Sequence, residues 1–193
     1  GQGRYCVEVV RRLAQRCRIT VIANTIGSHS IEGVEYRHVP SLRAHAFSTV
    51  LSYIPGAEWA VRQRPYDVIH AQGLTSWSAD VITGHICNAA RAKASAANHR
   101  RSRWFMRMII PLERAFYRQR RASHLIAISQ VLDREIRTEY GWTKDSTVIH
   151  HGTPVRRPEP TGQAQPLPDG SADGACLVAA ALLDEDHDSD EDS

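Results

Sequence analysis

Apolar residues in this chain fall into two recurring patterns, short unbroken runs and longer stretches with helical spacing. Between Tyr5 and Cys17 they recur at Cys6, Val9, Val10, Leu13, Ala14 and Cys17, while Glu8, Arg11, Arg12, Gln15 and Arg16 take the other face. That period predicts an amphipathic helix over Tyr5–Arg16. Arg18–Ala23 (RITVIA) reads as a strand buried on both faces, and Gly33–Val39 (GVEYRHV) as an alternating, half-exposed one. Phe47, Val50, Leu51, Ile54 and Val61 predict a helix, interrupted or kinked at Pro55, that leads through Pro65 into a strand at Asp67–His70. Val81–His85 reads as the next strand, Asn88–Ala97 and Trp104–Arg121 as helices, the latter with Pro111 interrupting it or near its start, and Leu125–Ile128 as a strand. A helix capped by Ser129 and Gly141 and a last strand at Thr147–His150 complete the order. Strands alternating with helices imply an α/β fold with a doubly wound, mostly parallel, Rossmann-like sheet. One step fits poorly. Parallel neighbours need a crossover of about a dozen residues or more, and Gly73–Ala79 supplies fewer, so either the crossover is abbreviated or Val81–His85 is not a regular parallel strand.

The two runs of the stretch Tyr66–Cys87, YDVIHAQGLTSWSADVITGHIC, each end in a histidine followed by small or polar residues. Ligands of open α/β sheets bind beyond the carboxyl ends of the strands, which places His70, Gln72, Gly73 and His85 near a candidate site. Each histidine also has a structural reading as a hydrogen-bonded strand-end residue. His150 and His151 make an adjacent pair, but neighbours on a strand point to opposite faces and do not share one ion. No metal site and no cofactor are expected.

Length and charge refine this picture. A chain of 193 residues accommodates one sizeable core plus a tail. The expected boundary lies at residue 154, with residues 1–154 folded and residues 155–193, rich in Pro, Gly and Ala apart from a short apolar run at Ala175–Leu183 and then acidic, disordered throughout. Four widely spaced cysteines suggest neither a disulfide framework nor a zinc knuckle, which fits a reducing, cytoplasmic setting. No run reaches the roughly 18 apolar residues of a membrane span. Residues 1–160 carry 24 basic against 12 acidic side chains, a net +12, whereas seven of the ten residues from Asp184 to Ser193 are acidic. The segment Arg91–Arg121 holds ten Lys and Arg against Glu113 alone, with aromatic and aliphatic residues interleaved. Such a helix either lies on an anionic membrane surface, peripheral on its inner face, or docks its apolar side on the sheet. Nucleic acid is disfavoured, because no recognised binding motif accompanies the charge. D-x-D matches in the acidic run follow from composition alone.

The succession GQGRYCVEVVRRLAQRCRITVIAN, YDVIHAQG, VITGHIC, HLIAISQVLDREIRTEYGW and STVIHHGTP resembles the amino-terminal domain of family-4 glycosyltransferases over about Gly1–Pro154. The resemblance implies one half of a GT-B fold, in which an acceptor-side and a donor-side Rossmann-like domain face each other across a cleft. It likens Gly1 to the second glycine of the family's glycine-rich loop, with Arg4 and Tyr5 opening the first helix, Gly3 in place of a usual Glu, and the first strand preceding residue 1. His85 is similar to the histidine that contacts the transferred sugar or the acceptor and is the expected catalytic residue. Gln72 takes the place of a second histidine, and Gly1, Gly3, Gln72 and Gly73 are expected to bind acceptor. Gly152 resembles the glycine opening the interdomain linker, with His151 replacing an asparagine. The family's donor-binding Arg/Lys pair and paired glutamates have no counterpart after Pro154. The implied function is the acceptor side of a retaining transfer from a nucleotide sugar to a sugar or lipid-linked acceptor, inactive without a donor domain. The alternative is a non-catalytic α/β binding module for an anionic surface, or an inactive remnant of the same fold.

Overall fold

The computed structural model describes residues 2–27, 31–42, 44–94, 100–150 and 176–181. In chain order the elements are α1 (Gln2–Leu13), β1 (Arg18–Ala23), β2 (Val34–His38), α2 (Ala46–Arg62), β3 (Val68–Gln72), β4 (Val81–Gly84), α3 (Asn88–Ala94), α4 (Arg100–Tyr117), β5 (His124–Ala127), α5 (Gln130–Tyr140), β6 (Asp145–Val148) and β7 (Cys176–Ala181). The strands form one seven-stranded sheet in the order β2-β1-β7-β3-β4-β5-β6, with every pair parallel.

The elements expected between residues 2 and 150 are present. Both internal prolines lie within continuous helices, Pro55 in α2 and Pro111 in α4, rather than at interruptions. Each sits on an exposed position, as does the residue four before it, Leu51 and Arg107, so the carbonyl that loses its N–H partner can turn to water. Helix α5 is capped as its sequence requires. Leu132 N–H donates to Ser129 Oγ at 3.1 Å, and Gly141, at φ 74°, donates its N–H to the Arg137 carbonyl at 3.0 Å.

The tail requires a correction. Residues 155–193 were expected outside the fold, yet six of them, Cys176–Ala181, form β7 in the middle of the sheet. Arg18–Ala23 pairs with the whole of β7 on one side, and Val68–Ala71 with Leu177–Ala180 on the other. With β7 counted as strand 1, the sheet follows the 3-2-1-4-5-6 order of the dinucleotide-binding fold. A six-residue apolar run carries no period that distinguishes it from a tail, and only two waiting strand edges give its backbone groups partners. The remaining tail residues lie outside those described, and with them His151, Gly152 and the acidic run.

The abbreviated crossover is also settled, because β4 is a regular parallel neighbour of β3. Val81 pairs with His70 and Thr83 with Gln72, so the chain descends only part of a strand length before turning upward again. Residues 73–80 need no helix for so short a return. Their polar groups converge on Glu58 of α2, which accepts from Ser76 Oγ and Ser78 Oγ, each at 2.6 Å, and from Ser78 N–H at 3.0 Å. Burial of Glu58 favours its neutral form, but the bonds from Ser76 and Ser78 outweigh it and hold the carboxyl below its ordinary pKa.

Alternation along β1 divides the core. Ile19, Val21 and Ala23 pack with Val10 of α1, while Ile22 joins Tyr53, Ala57 and Val61 of α2 together with Ile69 of β3. A third and larger cluster unites Ile82 of β4 and Leu125 of β5 with Phe116 of α4 and Ile136 and Tyr140 of α5. Inside it, buried Glu113 accepts from Asn88 Nδ2 at 2.7 Å and from the Tyr140 hydroxyl, and Ala89 N–H donates to the same Tyr140 oxygen at 3.0 Å. One carboxylate thereby ties α3, α4 and α5 together. Its burial raises its pKa, against the effect of those bonds.

Candidate active site

The strand period of two determines which polar side chains meet. His70 and Gln72 are i, i+2 on β3, and Thr83 and His85 are i, i+2 at the end of β4, so all four project to one face of two adjacent strands. They form a continuous hydrogen-bonded run. His70 Nε2 lies 2.6 Å from Thr83 Oγ1 and 3.2 Å from Gln72 Nε2, and His85 Nε2 lies 2.9 Å from Gln72 Oε1.

Gln72 turns its amide nitrogen toward His70 and its oxygen toward His85, and that orientation sets the direction of the run. The Gln72 amide can only donate through nitrogen, so His70 Nε2 is the accepting nitrogen, its single lone pair shared between the Thr83 hydroxyl at 2.6 Å and the longer contact from Gln72 at 3.2 Å, and the neutral ring carries its proton on Nδ1. Burial agrees, pushing the His70 pKa down to about 4. The Gln72 carbonyl oxygen in turn accepts from His85 Nε2–H. Gln72 therefore orients His85 and selects its tautomer, as outer partners of functional histidines commonly do.

The run ends at the carboxyl edge of the sheet, against the amino end of α1. The Tyr5 ring meets the His85 ring edge-on, with centroids 5.4 Å apart and planes at 78°. Burial raises the Tyr5 pKa, with a hydrogen bond to Thr83 acting the other way. The first turn of α1, which brings Tyr5 to His85, holds no acidic side chain, so no carboxylate within that turn offsets the positive end of the helix dipole. Such an end suits an anionic or polyhydroxyl group.

Gly73 follows Gln72 at φ 65°, a left-handed backbone that side-chain-bearing residues rarely adopt, and its N–H donates to the Thr83 carbonyl at 2.8 Å. This turn ends β3 immediately after Gln72 and locks it to β4. Gly84, just before His85, allows close approach of α5: a Cβ there would lie 2.7 Å from Ile136 Cδ1.

The structure thus brings Gln72, Gly73 and His85 together, and Gly3 lies two residues before Tyr5 on the first turn of α1. Gly1 lies outside the described residues. His70 answers to its structural reading, as a buried neutral acceptor. Thr83 and the ring of Tyr5 were not foreseen as site residues. The available signal was the pair of polar i, i+2 positions within otherwise apolar strands. Among the described residues no group of three or more His, Cys, Asp and Glu side chains could hold a metal ion, and no helix is long and apolar enough to cross a membrane.

The basic segment divides its apolar side chains between two environments. Ile109 and Phe116 of α4 are buried, while Trp104 and Met108 are 55% and 43% exposed beside the exposed Arg103 and Arg107. Trp104 meets Phe47 of α2 edge-on at 5.6 Å, and Leu51, one turn further along α2, is also exposed.

The family described as Glycosyltransferase Family 4 matches residues 1–157. No curated protein and no solved structure matches the chain.

Proposed function

Since the chain belongs to glycosyltransferase family 4, we propose that it forms the acceptor side of a retaining transferase, holding a sugar or lipid-linked acceptor while a donor-side domain presents a nucleotide sugar. The observation that carries this reading is the hydrogen-bonded run ending at His85 beside the amino end of α1. Held by Gln72 Oε1 at 2.9 Å from its Nε2, the His85 imidazole is fixed at the strand end, where it can hydrogen-bond an acceptor hydroxyl. The α1 amino end supplies backbone N–H donors to neighbouring oxygens. Transfer requires the donor to be clamped over the acceptor. The chain by itself therefore binds acceptor without turning it over, and it needs no metal or cofactor to do so.

An anionic membrane surface is the setting that the exposed Trp104, Met108 and Leu51 beside Arg103 and Arg107 favour. It agrees with a lipid-linked acceptor and a peripheral position on the inner face of the membrane.

Calorimetric titration with a panel of glycosides and nucleotide diphosphate sugars, paired with vesicle sedimentation, tests the reading. Saturable glycoside binding is expected, weakened about 10-fold, or 1.4 kcal/mol, by His85→Ala, with no binding of nucleotide sugars. Unchanged affinity in the variant would remove His85 from the site, and saturable nucleotide-sugar binding would overturn the acceptor-side assignment. Sedimentation should occur with anionic vesicles alone, decline with salt and be lost in Trp104→Ser.

A further inference from the structure

His85 is held by its ring from one direction and by its backbone from another. Gln72 Oε1 meets the ring, 2.9 Å from Nε2. The backbone is fixed by α4 and α5, which pack together on this part of the sheet. On the amino side of His85, Gly84 pairs with Ala127 of β5 and lies so close to the helices that a Cβ there would sit 2.7 Å from Ile136 Cδ1 and 3.5 Å from the Tyr117 hydroxyl oxygen. On the carboxyl side, Asn88 and Ala89 open α3 against the same two helices. Asn88 Nδ2 donates to Glu113 Oε1 at 2.7 Å, Ala89 N–H donates to the Tyr140 hydroxyl oxygen at 3.0 Å, and that hydroxyl donates to Glu113 Oε2.

These four helix side chains form one support. Glu113 and Tyr117 are four residues apart on α4, and Ile136 and Tyr140 four apart on α5, so each pair shares one face of its helix. The Tyr117 and Tyr140 rings stack on each other, with centroids 5.2 Å apart and an interplanar angle of 6°. Between the two anchored points lie only residues 85–87, and Cys87 is itself buried. Three residues span at most about 10 Å. The direction in which His85 leaves β4 is therefore set from both ends. Apolar side chains would fill this layer without the desolvation that a buried carboxylate costs. Hydrogen bonds differ from apolar packing in being directional, and those of Glu113 and Tyr140 end on the residues that follow the His85 turn.

We propose that Glu113 and Tyr140 are positioning residues for His85: from beneath the turn they fix the backbone that follows it, and so the angle at which the imidazole meets an acceptor hydroxyl. Both are buried and act through the chain. The inference rests on the acceptor-side reading of His85 and adds to it the groups that keep the ring in place.

The test uses the full chain in two variants. Tyr140→Phe keeps the stacked ring and removes the hydroxyl, and Glu113→Gln keeps the shape and removes one acceptor oxygen. Each is measured well below its own melting midpoint, by calorimetric titration with glycosides and by proton NMR of the histidine Cε1–H signals, with His85→Ala assigning the His85 signal by its absence. Both variants should fold and bind glycosides about 5-fold more weakly, the usual net worth of one hydrogen bond. The His85 signal should shift or broaden while those of His38 and His124, on β2 and β5, stay in place. A pair that serves stability alone would lower the melting midpoint and leave affinity and the His85 signal unchanged. That result, equal movement of all three signals, or failure of both variants to fold would overturn the proposal. If the unaltered chain binds no glycoside, the acceptor-side reading falls, and the His85 signal alone decides whether the pair positions the ring.

Discussion

The two halves of the sheet differ in how they are assembled. From β3 to β6 the strands follow one another in sequence order and lie side by side, and α3, α4 and α5 join the same buried cluster. From β2 to β7 the neighbours are the second, first and last strands of the chain, and the half is complete only when Cys176–Ala181 arrives. The first half forms from contacts that close modest loops. The second waits on a strand that begins 28 residues after the end of β6, and pairing across so large a sequence separation costs closure entropy before it gains contacts. The candidate site belongs to the first half, since His70, Gln72 and Thr83 lie on β3 and β4 and His85 directly follows β4, and it meets the second through the ring of Tyr5 and through the pairing of His70 with Ala179 of β7.

The strongest test of this contrast is a truncation in the contiguous half. Ile136 is fully buried under Gly84, and Ile136→Ala should cost about 3–4 kcal/mol in denaturant unfolding while also loosening the turn that presents His85. The next largest effect is expected where α2 of the long-range half grips the β3–β4 crossover. Glu58→Ala removes the acceptor for Ser76 and Ser78 and should cost about 2–3 kcal/mol, measurable as a lowered denaturant midpoint. Native-state hydrogen exchange then compares the halves directly. Amides of β1 should exchange about 10-fold faster than those of β4 and β5, a difference near 1.4 kcal/mol in opening free energy. Equal protection would mean that the sheet opens as one unit.

The smallest effect separates the half-buried Glu58 from the buried Glu113 by pH. Glu58 is held below its ordinary pKa, so its contribution is complete above the unfolded value of about 4.3 and is lost as pH falls through the depressed folded value. Glu113 is held above its ordinary value by burial, so its contribution is complete below about pH 4.3 and is lost as pH rises through the raised folded value. Glu58→Gln should therefore flatten the acid side of the stability profile, and Glu113→Gln should flatten the decline on the neutral side. Thermal melts of both variants at pH 3.5 and pH 7.5 would show opposite changes in slope if the assignments hold.

Much of the molecule was legible in the residues alone, because local chemistry specifies it. The apolar stripe of α1, the caps of α5 at Ser129 and Gly141, and the runs at Arg18–Ala23 and Val81–Gly84 each carry a period or a terminal signal that tertiary packing respected. His85, Gln72 and Gly73 were identifiable as a strand-end group for the same reason. What the residues could not reveal was decided by partners distant in sequence. Thr83 is one apolar-run threonine among several until β3 places His70 2.6 Å from it. The crossover of residues 73–80 is too short by the usual measure until the register of β4 on β3 shortens its path and Glu58 receives its polar groups. Cys176–Ala181 is an unremarkable apolar run in a polar tail until the edges of β1 and β3 give it hydrogen-bond partners on both sides. Sequence by itself determined the elements and the residues at their ends, since backbone propensity, capping and alternation act over a few residues. Tertiary structure alone decided which strand completes the sheet and which side chains share a proton, because both depend on backbone groups that meet only after the chain has closed on itself.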